Sequence, residues 1–297
     1  GTRDGRDIEQ LHMMRVALRK LRAALLVFPG AINKPEREAL ESELSWLGDA
    51  LGDVRDLDVF LDRMALTRSE LDSDSAGHLR EVDRVIERRR SAKRDAMLTA
   101  LNDARYTGFV AGLRRRIEKH DLALFSGTSA NVPLLEASRP LLERFLKKAV
   151  KAVAELDVDS EPEALHAARK KVRRLRYGLD FLGALYGAPA KRLRKQAKLI
   201  QDHLGEHQDA IVAQDVLWSV IEELRDEGEA GPETYVAIGQ ALQRETRHGE
   251  TARSSFFAER KRFLKLGKRF KTVVAASPPE YAAGTNGQPS QTPAATI

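Results

Sequence analysis

Apolar residues recur three and four positions apart along most of this chain, which is the spacing of one face of an α-helix. In the stretch Leu165–Lys198, for example, Leu165, Val172, Leu175 and Leu179 keep this spacing beside a row of basic residues. No stretch of the sequence alternates apolar and polar residues as a half-buried strand would. The pattern therefore predicts an all-α protein with long amphipathic helices.

Proline, glycine and short polar runs divide this pattern into separate predicted helices. In the first half, a break is expected at Gly52-Asp53, a turn over 72–75, and bends at Gly108 and Gly112. The predicted helices span residues 7–28, 35–51, 54–71 and 76–120 in the first half, and 134–156, 162–187, 189–204, 209–226 and 231–276 in the second.

One segment without periodicity lies between the two halves and contains a Ser-Gly-Thr-Ser run. Residues after 276 are rich in Pro, Gly, Ser, Thr and Gln, a composition that is typical of disorder. We therefore predict a lead-in at 1–6, a first helical repeat at 7–120, a linker at 121–133, a second helical repeat at 134–276 and a disordered tail at 277–297.

A row of histidine and arginine stands beside the apolar face of one predicted helix in each half. At 3.6 residues per turn, the four side chains of the second row fall within an arc of about 80°. The two rows are His12, Arg15, Arg19 and Arg22 in the first half and His166, Arg169, Arg173 and Arg176 in the second. Similar motifs follow the rows, LGDVRDLDV at 51–59 and LGEHQDAIV at 204–212. Two ordered matches predict that the chain is a duplicated helical unit.

Composition limits the class of protein. Of the 297 residues, 42% are hydrophobic and 32% are charged, as expected for a globular protein with an ionic surface. The absence of cysteine excludes disulfides and thiolate chemistry and fits a reducing compartment such as the cytoplasm. No apolar run approaches the roughly 20 residues of a membrane span, so no membrane association is expected. Because the first residue is Gly and the first half lacks a counterpart of helix 134–156, we expect the natural chain to be processed or to extend upstream.

The net charge is +6, and basic residues are concentrated around the two rows. An arginine fork binds two phosphate oxygens and keeps its charge at any working pH. Repeated along a helix, such donors suit a linear phosphate polymer, and two opposed rows would raise the potential in a shared groove. Protonated histidines would strengthen binding as the pH falls through about 6.5. The alternative is that the rows are a solvated face, balanced by the acidic residues of the LG motifs.

Motifs for catalysis are weak or missing from the sequence. The HLGEH run at 203–207 matches the H-x-x-E-H pattern of some zinc hydrolases, but no histidine occupies the matching positions of the first half. Phosphate-binding loops and nucleophile elbows do not occur. We therefore predict no enzyme activity, no cofactor and no metal. A metal-dependent phosphohydrolase that uses His203, Glu206 and His207 is the less favoured alternative.

Four segments give the chain a resemblance to the CHAD family, the conserved histidine α-helical domain, from about residue 7 to about residue 271. They read LHMMRVALRKLRAAL, ALHAARKKVRRLRYGLDFL, LGDVRDLDVF and IQDHLGEHQDAIV. The resemblance implies two pseudo-twofold-related four-helix-type bundles around a central basic groove. It also implies that the groove binds inorganic polyphosphate and that the protein is recruited to polyphosphate granules. The E-x-E-x-K signature of the CYTH triphosphatase domain, often fused to members, is missing, so a hydrolase role is not expected.

The predicted polyphosphate-binding residues have two origins. The resemblance assigns the matched positions His12, Arg15, Arg19, Lys20, Arg22, His166, Arg169, Arg173, Arg174 and Arg176. Basic residues on other predicted helices extend the set to Arg80, Arg84, Arg88, Arg94, Arg105, Arg194, Lys195, Lys198, Arg244 and Arg247. Acidic residues over 36–43 are expected to lower the positive charge on the side of the groove that the first half forms. Nucleic acid, RNA or DNA, is the alternative partner, less favoured because aromatic residues that stack on bases make up only 6% of the chain.

Overall fold

The computed structural model describes residues 8–119, 126–128, 130–228 and 230–276, and no strand occurs among them. The all-α prediction is therefore confirmed. The predicted lead-in at 1–6, the tail at 277–297 and residues 121–125 and 129 of the linker lie outside the described residues. The helices are α1 Ile8–Val27, α2 Lys34–Glu70, α3 Ser73–His78, α4 Arg80–Asn102, α5 Ala104–Glu118, α6 Leu134–Ala154, α7 Pro162–Leu182, α8 Gly187–Glu227 and α9 Pro232–Ala275, with a 3-10 turn Gly183–Tyr186 between α7 and α8.

Two predicted helix breaks are wrong, because α2 continues through Gly52 and α8 continues through Gly205. A glycine inside a helix costs about 1 kcal/mol relative to alanine. Burial of one leucine stabilises by about 1.5–3 kcal/mol, and Leu51 and Leu204 beside these glycines are 0% and 1% exposed. Packing of the flanking residues therefore outweighs the local preference of glycine.

The prediction of one long helix over 76–120 is also wrong, because the helix is interrupted at Leu79 and again at Asp103. The Asp103 carboxylate accepts a hydrogen bond from the backbone N of Arg105 at 2.6 Å and so caps α5. Residues 73–75, predicted as part of a turn, begin the short helix α3, which the Asp72 side chain caps in the same way. Gly108 and Gly112 both lie inside α5, where no break occurs.

The second half packs as a closed ring of four helices. Helix α6 contacts α7 and α9, α7 contacts α8, and α8 contacts α9 along much of its length. Large apolar side chains fill the ring, including Leu175, Leu193, Phe256, Phe263 and Phe270. In the first half, α1 packs on α2, α2 on α4 and α4 on α5, and no residue of α5 is buried.

The two halves share an interior instead of meeting at a thin surface. Phe60 and Met64 of α2 and Val82 of α4 join one apolar cluster with Leu217 of α8 and Ile238 of α9. Helix α1 also contacts α7 directly. This contact sets the two helices that carry the basic rows side by side. None of the helices in the described part of the chain is long and apolar enough to cross a membrane.

Candidate functional site

A groove with a volume of about 580 Å³ opens where α1 approaches α7, and we call it the α1–α7 groove. Its lining residues are Arg15, Leu18, Arg19, Arg22, Ala23 and Leu26 of α1, Glu41, Ser45 and Gly48 of α2, and Arg173, Arg174 and Tyr177 of α7. Five arginines from both halves thus converge on one cavity, with Glu41 as the single carboxylate in the lining. The structure brings together residues that are far apart in the sequence.

The buried faces of the two helices place these arginines. On α1, Leu11, Leu18 and Leu25 are 5%, 7% and 8% exposed and fix the rotation of the helix against the core. On α7, Val172 and Leu175 are 0% exposed and do the same. Because side chains one position apart on a helix differ by about 100°, the arginines beside each apolar stripe turn toward the shared groove.

The pKa of Arg173 reflects the positive charge that surrounds the α1–α7 groove. Its side chain stays open to solvent, yet enclosure by the groove walls lowers its pKa below the ordinary value. The positive charges of Arg169, Arg19 and Arg174 lower this pKa further, and Tyr177 opposes them. Since Arg19 belongs to α1 and Arg173 to α7, the cations of the two halves repel one another across the groove. A bound anion would relieve that repulsion.

The guanidinium of Arg15 is already hydrogen-bonded to other groups of the protein. Its guanidinium donates to the carbonyl oxygens of Leu51 at 3.2 Å and Gly52 at 2.6 Å, and to the Asp56 carboxylate at 3.2 Å. Arg169, at the matching position of the second row, lies instead beside Gly205, where a Cβ would meet its Nη2 at 3.4 Å. The Nε of Arg169 is buried without a hydrogen-bond partner in the described part of the chain.

His166 is held in its neutral form at neutral pH. Burial lowers its pKa below 6.5, and the positive charges of Lys170, Arg169 and Arg173 lower it further, while a hydrogen bond with Gln208 acts in the opposite direction. Protonation of His166 in the free protein therefore requires a lower pH than the 6.5 expected for both histidines. His12 is half-buried on α1, and neither histidine lines the α1–α7 groove.

Several predicted binding residues are engaged with carboxylates elsewhere. Arg88 pairs with Glu223 and Glu227 of α8, so this part of α4 faces acidic side chains. The other pairs are Arg84 with Glu81 and Glu227, Arg105 with Glu43, Arg176 and Arg194 with Asp180, Lys198 with Asp202, and Arg244 with Glu70 and Glu245. None of these seven cations, Arg88 included, lines the α1–α7 groove.

The remaining predicted residues lie at other positions on the surface. Lys20, Arg80, Lys195 and Arg247 are exposed, and Arg94 is half-buried. None of them lines the α1–α7 groove. Arg247 donates to the side-chain oxygen of Gln243 at 3.2 Å. The site that the geometry defines is thus smaller than the predicted set.

The sequence prediction missed the contribution of α2. Glu41, Ser45 and Gly48 follow the i, i+4, i+7 spacing of one helix face and form part of the groove lining. A Cβ at position 48 would lie 3.2 Å from Nη1 of Arg22, so glycine leaves room for that guanidinium. Small residues at helical spacing opposite a basic row are the signal that would have indicated this wall.

The H-x-x-E-H run at 203–207 takes part in the packing of α8 on α9. His207 is 8% exposed and its Nδ1 lies 3.1 Å from the carbonyl oxygen of Gly249 on α9. Glu206 instead faces His248 at 3.0 Å and Arg63 at 3.6 Å. No group of three histidine or acidic residues in the described segments is arranged to hold a metal ion.

Comparisons with known proteins agree with this architecture. The profile of the CHAD domain family matches residues 1–218. An uncharacterized protein of Mycobacterium tuberculosis, Rv2226, is 31% identical over 257 residues, which cover 84% of this chain and 47% of that protein. A second uncharacterized protein of that species, MT2285, is 30% identical over the same length. The chain spans about half the length of these curated relatives.

Two solved structures are similar in fold. The crystal structure of the CHAD domain from the plant Ricinus communis has a TM-score of 0.65 and 29% identity, covering 86% of this chain and 82% of that one. The structure of PptA from Streptomyces chartreusis has a TM-score of 0.68 and covers 86% of this chain and 90% of that one. Its identity of 19% supports the fold alone.

Proposed function

Because the chain belongs to the CHAD domain family, we propose that it binds inorganic polyphosphate in the α1–α7 groove without converting it chemically. The observation that carries the proposal is the convergence of Arg19 from α1 and Arg173 from α7 on one cavity. No ion pair joins Arg19, Arg22, Arg173 or Arg174 to a carboxylate in the part of the chain that the structure describes. Their charge is available to a ligand.

A phosphate polymer fits this arrangement for two physical reasons. Guanidinium forks hydrogen-bond pairs of phosphate oxygens, and the rows on α1 and α7 repeat such forks along a line. The cations also repel one another before a ligand is bound, and a polyanion replaces that repulsion with attraction. Binding releases the counterions of the polymer, so the affinity should fall steeply with salt, as it does for nucleic acids.

The test compares two double variants that each remove two arginines. Arg19→Gln/Arg173→Gln removes one cation from each wall of the groove. Arg84→Gln/Arg88→Gln removes two cations that are paired with carboxylates outside it. We expect the groove variant to lose about 10- to 100-fold in polyphosphate affinity and the slope of log affinity against log salt to fall by about 2.

The control variant should bind like the wild type in the same calorimetric titration. Equal losses in the two variants would mean that polyphosphate responds only to net charge, and the proposed site would be wrong. Release of orthophosphate from the bound polymer would overturn the non-enzymatic part of the proposal.

Nucleic acid is the second candidate ligand, favoured by the basic groove and disfavoured by its lining, in which Tyr177 is the single aromatic residue. Bases bind single-strand sites mainly by stacking on aromatic rings. Polyphosphate should therefore displace tRNA at moderate salt, and tRNA should displace polyphosphate poorly.

We also propose a cytoplasmic location at polyphosphate granules, which co-localisation of a fluorescent fusion with stained granules would test.

A further inference from the structure

A second basic groove, of about 340 Å³, lies between α8 and α9, and we call it the α8–α9 groove. Its lining residues are Arg192, Lys195, Gln196, Lys198, Leu199 and Asp202 of α8 and Arg262 and Leu266 of α9. Four cations from two helices thus face one cavity with a partly apolar floor. No residue that lines it also lines the α1–α7 groove.

The carboxylates near the α8–α9 groove are already engaged. Asp202 accepts from Nζ of Lys198 at 2.6 Å. Glu259 of α9 is held by Gln196, whose Nε2 donates to the Glu259 carboxylate at 2.8 Å and whose side chain is 4% exposed. Among the described residues, Arg192, Lys195 and Arg262 therefore have no carboxylate within ion-pair distance. The α8–α9 groove therefore keeps an excess of positive charge, because its four cations outnumber Asp202 and the neighbouring Glu259, whose charge the neutral Gln196 amide does not cancel.

The cations also extend along the helices beyond the cavity. Arg192, Lys195 and Lys198 span about 9 Å of the α8 axis, since each residue adds about 1.5 Å. On α9, Arg269 follows Arg262 two turns later and is exposed, as Lys265 between them is. A row of this kind offers successive donors to an extended anion better than it encloses a small one.

The two grooves are separated by a seam at which the basic side chains are held by other side chains of the protein. Helix packing runs from α1 to α7 to α8 to α9, so the α7–α8 seam lies between the grooves. At this seam Asp180 pairs with Arg176 of α7 and with Arg194 of α8. Arg176 is further held by Gln201, whose side-chain oxygen accepts from its Nε at 2.9 Å. The basic surface is therefore divided into two sites by side chains that bind one another.

We infer that the α8–α9 groove is a second binding site for polyphosphate, separate from the α1–α7 groove. This inference rests on the proposed function, because it assigns the same polymer to both grooves. A polymer that reaches both sites binds the second one at a high effective concentration, which strengthens binding by roughly 10²–10⁴-fold over either site alone. The protein would thus select long polyphosphate over short polyphosphate without any contact that measures length.

The test is a calorimetric titration with two polyphosphate preparations, one too short to reach both grooves and one long. The variants are Arg192→Gln/Lys195→Gln in the α8–α9 groove and Arg19→Gln/Arg173→Gln in the α1–α7 groove, with Arg84→Gln/Arg88→Gln as the charge-matched control. All four groove positions are exposed, so folding should be retained, and circular dichroism of each variant checks this.

We expect the wild type and the control to bind two short chains and each groove variant to bind one. For the long polymer, each groove variant should lose most of the gain in affinity over the short polymer. If the wild type binds a single short chain and only the Arg19/Arg173 variant weakens it, the second site is wrong and the proposed function stands. Absence of binding in the wild type would instead overturn the proposed function.

Two other results would also overturn the inference. Binding of tRNA, but not of short polyphosphate, at Arg192 and Lys195 would assign the α8–α9 groove to nucleic acid. An unchanged stoichiometry in the Arg192/Lys195 variant would show that these exposed cations are only a solvated surface.

Discussion

The guanidinium of Arg15 donates to the carbonyl oxygen of Gly52 at 2.6 Å, across the contact between α1 and α2. Arg169 occupies the matching place in the second half, beside Gly205 of α8. The two arginines nevertheless differ, because Arg15 is bonded to the protein and Arg169 keeps a buried Nε without a partner in the described residues. Two arginines at matching sequence positions therefore differ in how far the protein itself uses their guanidinium groups.

This difference predicts unequal effects of two equivalent substitutions on stability. Arg15→Gln should lower the free energy of unfolding by about 1–2 kcal/mol, because its hydrogen bonds to Leu51, Gly52 and Asp56 are lost, and polyphosphate affinity should change little. Arg169→Gln should cost less stability than Arg15→Gln, because the Nε of Arg169 makes no hydrogen bond in the described residues, although its charge favours the Asp209 carboxylate. It should weaken binding only modestly, because Arg169 acts on the charge of Arg173 and does not itself line the α1–α7 groove. Urea unfolding and titration of both variants measure the two effects. The same loss of stability in both variants would contradict this prediction.

The lowered pKa of His166 predicts a pH-dependent stability. In the unfolded chain histidine titrates near 6.5, whereas burial and the charges of Lys170 and Arg169 disfavour the proton in the folded protein. As the pH falls through 6.5, the unfolded chain binds the proton first, so the free energy of unfolding decreases. Above pH 7.5 the imidazole is neutral in both states and the effect is absent.

Urea unfolding at pH 7.5 and pH 5.5 measures this decrease. The His166→Gln variant should lose part of it, because glutamine does not titrate. His78→Gln is a suitable control, since His78 is exposed at the end of α3. A decrease of equal size in the wild type and the His166→Gln variant would show that other groups cause it.

A buried ion pair joins the two halves and predicts a large loss of stability. Glu245 of α9 is 0% exposed, and its carboxylate accepts from Nε of Arg63 of α2 at 3.0 Å. Arg63→Met leaves Glu245 with Arg244 at 3.1 Å as its remaining partner, and should cost about 3 kcal/mol. Arg63→Met/Glu245→Leu should recover most of this loss, because no unpaired charge remains buried.

The exposed pair of Lys93 and Asp53, with Nζ and Oδ2 2.8 Å apart, is the matched control for this prediction. Lys93→Met should change the free energy of unfolding by less than about 1 kcal/mol. Similar losses in the Arg63→Met and Lys93→Met variants would mean that the buried pair contributes no more than a surface pair.

The sequence predicts the helical class and the two basic rows because both follow from the period of 3.6 residues. The sequence does not predict which helix each basic row faces in the folded protein. Arg84 and Arg88 repeat on α4 with the spacing of Arg15 and Arg19, yet they face Glu223 and Glu227 of α8. Periodicity identifies the face of a helix that a residue occupies, and tertiary packing decides what that face contacts.

The continuity of α2 and α8 shows the same limit. Gly52 and Gly205 are local signals for a break, and only the burial of neighbouring leucines, which depends on distant helices, overrides them. The α2 wall of the α1–α7 groove was missed for a related reason. Ser45 and Gly48 carry no charge, and their role is to leave space for arginines of α1.

Two glycines of α9 give a final prediction about the packing of the second half. Gly267 is buried against α6, and a Cβ there would lie 2.7 Å from Cγ2 of Val150. Gly267→Ala must therefore separate the two helices or distort Val150, and should lower the free energy of unfolding by about 1–3 kcal/mol. Gly239 lies in the same helix with no atom within 4 Å of such a Cβ.

Gly239→Ala is thus the matched control, since the same substitution in the same helix meets no neighbour. Alanine favours the helix over glycine, so this variant should be more stable than the wild type by about 0.5–1 kcal/mol. Urea unfolding of the two variants gives the sign of each change directly. A Gly267→Ala variant as stable as Gly239→Ala would show that α6 and α9 are less closely packed than their contact at Val150 indicates, because helix propensity alone would then decide both results.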